Sequence, residues 1–158
     1  AKMALQYLRG LCQQDGFAKG AFPVFGRPVS LSDIKLPLCA IACETDHIAH
    51  WRGSFNGIKQ MGSADKTFIV SQSGHIAGII NPPSKGKYGH YTKEGPVEGA
   101  PDDWMKGATF NQGSWWPRWG AWLDERSGPQ VPARNPGDSG RAVLCAAPGT
   151  YVVAKPES

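Results

Sequence analysis

Apolar and polar residues alternate along the chain in two rhythms. Met3, Leu5, Leu8 and Leu11 recur at roughly helical spacing, which predicts a short helix over residues 2–11, with Gly10 and Gly16 marking its end. Residues 21–31 hold two apolar stubs around Gly26, Arg27 and Pro28, the pattern of a small hairpin or tight loop. Residues 36–43 are almost continuously apolar and close on Glu44, Thr45 and Asp46, as a strand buried on both faces does. Ile48, Trp51, Phe55 and Ile58 then predict a helix over 47–61, and residues 67–70 a second short buried strand. Strand, helix, strand is the order of an α/β domain with a parallel sheet, whose functional residues gather at the C-terminal ends of the strands.

The second half is less periodic. Residues 81–101 are rich in Pro, Gly and Lys and read as irregular; 102–107 reads as a helix. Residues 114–126 bring Trp115, Trp116, Trp119 and Trp122 close together, and aromatics at this spacing are first of all packing elements against a sheet. Trp51 reads as core in the same way. Residues 128–158 show scattered Pro and Gly and little periodicity, so the expected organisation is a domain over 1–127 with a tail over 128–158 packed on it. An apolar content of 41% suits a globular domain, and 20 Gly with 13 Pro imply long connections able to carry function.

The formal charge of +4 is spread along the chain without a run of like charges, which argues against a nucleic-acid surface. Lys85, Lys87 and Lys93 read as solvated loop charges, with attraction of an anionic substrate as the alternative. Cys12, Cys39, Cys43 and Cys145 show no C-x-x-C spacing and suggest a reducing compartment. No stretch has the length of a membrane span, and without a signal-type stretch or an initiator Met the chain reads as part of something longer. His47 and His50 lack the spacing and carboxylate partner of a metal site, and His90, between Gly89 and Tyr91, reads as a surface loop residue.

Asp46 directly follows the first buried strand and His75 the second, so both are expected at one sheet edge. An acid and then a histidine in this order are the last two members of a nucleophile–acid–histidine site of the α/β-hydrolase type. The imidazole takes a proton from a thiol or hydroxyl, and the carboxylate fixes its tautomer. The competing reading makes Asp46 only the N-cap of the helix that starts at His47.

Three motifs carry a resemblance: Thr45-Asp46-His47-Ile48 with Trp51; Ser73-Gly74-His75-Ile76-Ala77-Gly78 followed by Ile80-Asn81-Pro82-Pro83; and Gly113-Ser114-Trp115-Trp116-Pro117 with Trp119. Together they resemble the polyhydroxyalkanoate synthases, chiefly class I. The resemblance implies the C-terminal portion of an α/β-hydrolase fold, with Asp46 and His75 at the positions of the family's catalytic aspartate and histidine. It also implies a cysteine nucleophile in a Gly-x-Cys-x-Gly box, which none of the four cysteines here occupies. The implied reaction polymerises (R)-3-hydroxyacyl-CoA, in class I short-chain units such as 3-hydroxybutyryl-CoA, into a polyester with release of CoA. It uses no resident cofactor or metal. Whether Asp46 orients His75 or itself deprotonates the 3-hydroxyl stays open. The implied setting is a cytoplasmic homodimer at a polyester granule surface, which some of the tryptophans could face. His50 departs from the family's pattern, where proline is expected before Trp51, and this could perturb the helix start.

The rival motif Gly137-Asp138-Ser139-Gly140 matches the nucleophile wording of chymotrypsin-like proteases, but the order of His and Asp and the parallel-type strands oppose it. An esterase or depolymerase of the same fold, and a binding fragment without activity, are the remaining alternatives.

Overall fold

Pro37 disfavours helical backbone at Leu36, and the apolar residues that follow run extended. In the computed structural model they form a strand, Leu38–Cys43 (β3), after a helix, Lys2–Tyr7 (α1), and a hairpin, Phe22–Val24 (β1) and Arg27–Val29 (β2). The structure describes residues 1–135, 137 and 140–155. They divide into two compact units, Ala1–Arg126 and Ser127–Ser158. Among its described residues the second holds a 3₁₀ turn, Tyr151–Val153. Asp138 and Ser139 of the protease-like motif lie outside the described residues.

β3 pairs in parallel with Lys66–Ser71 (β4), from Leu38 opposite Lys66 to Cys43 opposite Ser71. Two further strands, His90–Thr92 (β5) and Thr109–Asn111 (β6), add antiparallel and complete a four-stranded mixed sheet in the order β3-β4-β5-β6. The chain is therefore α/β, but part of the stretch read as irregular is sheet. Each added strand is only three residues long, and runs that short leave no alternation to read. His90 is accordingly no surface loop residue: it is buried within β5.

The crossover between β3 and β4 contains Trp51–Gln60 (α2), whose Trp51, Phe55 and Ile58 are buried against Ala42, Phe68 and Val70. Trp104 of Pro101–Lys106 (α3) completes this core. Its ring meets Phe68 edge-on at 5.1 Å and tilts against Phe55 at 5.8 Å, arrangements that suit the aromatic quadrupole. At the rim Arg52 pairs with Asp102 at 2.6 Å, tying α2 to α3.

Two expectations change. The helix begins at Trp51, not His47. β3 is also not buried on both faces, since only Ala42 and Cys43 are buried along it. Ala42 belongs to the α2 side of the sheet. Cys39 faces a groove of about 740 Å³ on the other side, bordered by His90, Trp122 and Arg126. Beyond β3 no strand pairs among the described residues. At the N-terminus the helical backbone passes Gly10 in a π-helical turn, Leu8–Gln13, and ends before Gly16, the later of the two expected stops. No helix among the described residues is long and apolar enough to cross a membrane.

Candidate active site

Parallel pairing delivers the C-terminal ends of β3 and β4 to the same place, and the loops leaving them stay stitched together. Beyond the last register pair, Glu44 N–H donates to the Ser71 carbonyl at 2.8 Å and Thr45 N–H to the Ser73 carbonyl at 3.1 Å. The next residue on one side is Asp46; His75 follows shortly on the other.

The two carboxylate oxygens of Asp46 have separate partners. Oδ1 accepts the backbone N–H of Ile48 at 2.8 Å and of Ala49 at 2.9 Å. Oδ2 lies 2.8 Å from Nδ1 of His75. The Oδ1 contacts turn residues 47–49 into a loop, which is why the helix starts later than its apolar spacing suggests. The cap falls to His50, whose Nδ1 accepts the N–H of Arg52 at 3.3 Å. His50, where the resemblance implies proline, thus starts the helix through a side-chain cap. Capping does not exclude partnership with histidine at Asp46, because its second oxygen remains free for the ring.

The Asp46 side chain is 6% exposed and that of His75 47%. The hydrogen bond from Ala49 N–H, then those from His75 and Ile48, outweigh burial and hold the Asp46 carboxyl at a pKa of about 2. At neutral pH Asp46 can only accept, so the 2.8 Å contact requires the proton on Nδ1. Nε2 of the neutral ring then carries the lone pair. The arrangement presents a half-exposed base of fixed tautomer, backed by a buried anion that stabilises the imidazolium form.

The turn that carries His75 is built tightly. Ser73 adopts a left-handed φ of 76°, and Gly78 N–H closes back on the Gly74 carbonyl at 2.9 Å. The Gly78 carbonyl accepts both the Ser71 hydroxyl at 2.7 Å and the Trp115 indole N–H at 2.9 Å. Trp116 N–H of the indole donates to the Ile79 carbonyl at 2.9 Å. Trp115 is buried just before the helix Trp116–Asp124 (α4). These polar contacts by tryptophan were not visible in the sequence, where spacing speaks only of packing. Gln72 was missed as well: it exchanges two bonds with Gly89, through its own N–H and its Oε1.

Neither cysteine of β3 resembles a nucleophile. Cys43 is buried, and its thiol is pushed up by that burial and then by the Asp46 charge; burial also raises the Cys39 thiol. Cys12 and Cys145 are exposed. Among the described residues the hydrogen-bond partner of the His75 ring is Asp46 alone. His90 donates from Nδ1 to the Gly113 carbonyl at 2.9 Å, and burial lowers its pKa. Among the described residues no three of His, Cys, Asp and Glu converge as metal ligands.

No protein-family profile matches the chain. Individual proteins do. Over 93% of its length it is 38% identical to the poly(3-hydroxyalkanoate) polymerase subunit PhaC of Rhizobium etli, and over 92% it is 40% identical to that of Rhizobium meliloti. The chain is homologous to one segment of the poly(3-hydroxyalkanoate) polymerases. The subunit of the same name from Cupriavidus necator is 38% identical over 86% of the chain. In each comparison the chain spans 23% of the length of the polymerase it matches. The three motifs that carry the resemblance all lie in the first unit, and two of them hold the Asp46–His75 pair.

Proposed function

We propose that this polymerase segment supplies Asp46 and His75 to an acyl-transfer site that converts (R)-3-hydroxyacyl-CoA, foremost 3-hydroxybutyryl-CoA, into polyhydroxyalkanoate. The observation that supports it is the 2.8 Å contact of Asp46 Oδ2 with His75 Nδ1 at the exits of two paired parallel strands. Such placement is that of the acid and base in an α/β-hydrolase sheet, and the margin of β3, unpaired among the described residues, leaves room for further strands of that fold.

His75 Nε2 takes the proton of a cysteine thiol held by a segment outside this chain. The thiolate attacks the thioester carbonyl of the substrate. The bond from carbon to the CoA sulfur breaks, and CoA leaves with the proton returned by the imidazolium. The 3-hydroxyl of the next unit then gives its proton to the base and attacks the acyl-cysteine, forming the ester and releasing the cysteine thiolate. Asp46 suits the orienting role better than that of base, because a carboxylate with a pKa of about 2 is a weak proton acceptor and both of its oxygens are engaged. In the same reading the complete enzyme is a cytoplasmic homodimer at polyester granules and needs no resident cofactor.

The test is CoA release from 3-hydroxybutyryl-CoA by the full-length polymerase. His75→Ala is expected to lower turnover by about 10³-fold, within the range of general acid–base contributions. Near-normal turnover in that variant overturns the assignment.

A further inference from the structure

The residues after His75 leave the sheet, so their backbone carbonyls need donors from elsewhere. Three donors are present on two of these carbonyls. The Gly78 oxygen accepts the Ser71 hydroxyl from the end of β4 and the Trp115 indole, and the Ile79 oxygen accepts the Trp116 indole. The tryptophans stand 37 residues further along the chain than the carbonyls they bind. Their own segment is anchored in turn. The Gly113 carbonyl accepts from the buried His90 of β5 at 2.9 Å, and the Ser114 hydroxyl accepts Trp116 backbone N–H at 3.1 Å. A connected path of hydrogen bonds therefore runs from the sheet through β5 and the start of α4 to the turn that holds His75.

We propose that Trp115 and Trp116 are positioning residues for His75, their indole N–H groups locking the turn that presents the imidazole to Asp46. The proposal rests on the acyl-transfer reading of His75. Ring packing alone does not account for the pair. Trp119 contacts the Trp115 ring at 5.8 Å, yet among the described residues its indole bonds no backbone carbonyl, and it is 40% exposed. α4 thus carries a comparison residue of the same type. Phenylalanine at 115 and 116 keeps an aromatic ring and removes the donor, while the Ser71 hydroxyl still holds the Gly78 carbonyl. The turn is loosened rather than lost. A shift of the imidazole by about 1 Å suffices to cost up to about 10²-fold in rate.

The experiment uses the full-length polymerase with Trp115→Phe/Trp116→Phe, Trp119→Phe and His75→Ala. Two readouts are taken: the kcat and KM for CoA release, and the low-field proton resonance of the His75 Nδ1–H, identified by its loss in His75→Ala. The double variant is expected to lose about 10-fold or more in kcat with KM held within about two-fold, and to shift or broaden the resonance. Trp119→Phe leaves both readouts at their wild-type values. If the double variant does not fold, Trp116→Phe alone carries the same expectations. An unmoved resonance, or a loss in Trp119→Phe as large as in the double variant, overturns the positioning role. Retained turnover in His75→Ala instead overturns the acyl-transfer reading, while the resonance still reports whether the tryptophans set the imidazole.

Discussion

Gly78 packs directly on Cys43: a Cβ at Gly78 would lie 2.6 Å from the Cys43 sulfur, 2.9 Å from the Gln72 carbonyl oxygen and 3.0 Å from that of Gly74. The turn after His75 is thereby pressed against the end of the strand that leads to Asp46, and glycine is what permits the approach. Gly78→Ala is expected to destabilise the protein by about 1–3 kcal/mol, the usual cost of overpacking. Cys43→Ala in the same chain recovers part of that loss, because the sulfur is removed while the two carbonyls stay. Urea unfolding of the two single variants and the double measures the coupling; strict additivity rules the contact out.

Acid should act on the site through Asp46. Its folded pKa of about 2 lies below the ordinary carboxylate value, so the unfolded chain binds the proton more readily. The stabilisation is complete above the unfolded pKa of roughly 4 and is lost as pH falls through about 2. Asp46→Asn is therefore expected to be less stable than wild type at neutral pH, with the gap closing between about pH 4 and pH 2. Unfolding midpoints of both proteins across that range provide the check, and a gap that does not change with pH contradicts the assignment.

The core beneath the site and its polar rim should respond very differently. Trp104 is 2% exposed and packs on Phe55 and Phe68, so Trp104→Ala is expected to cost about 3–5 kcal/mol. Arg52 pairs with Asp102 at 2.6 Å, but both side chains are substantially exposed. Arg52→Ala should change stability by at most about 1 kcal/mol through that pair, screened by salt. Denaturant midpoints at low and high ionic strength distinguish the two.

The α/β order and both members of the Asp46–His75 pair were legible because each depends on a strong local signal: a long apolar run, helical spacing at Trp51, Phe55 and Ile58, and a polar residue at each strand exit. What escaped depends on non-local pairing. His90 and Thr109 belong to strands too short for alternation, held only by neighbours distant in sequence. The helix start moved because a side chain, Asp46, takes up two backbone N–H groups that periodicity assigns to the helix. The hydrogen bonds of Trp115 and Trp116 span too much sequence for any spacing rule to reveal.

The outer margin of β3 has a consequence for handling the protein. Leu38–Cys43 contains no charged residue and no proline, and beyond it the described residues place no strand. A row of unsatisfied peptide groups beside uncharged side chains is a template for edge-to-edge association. Produced in isolation, the chain should clump in proportion to its concentration, and a lysine at Cys39 is the change most suited to keeping it dispersed.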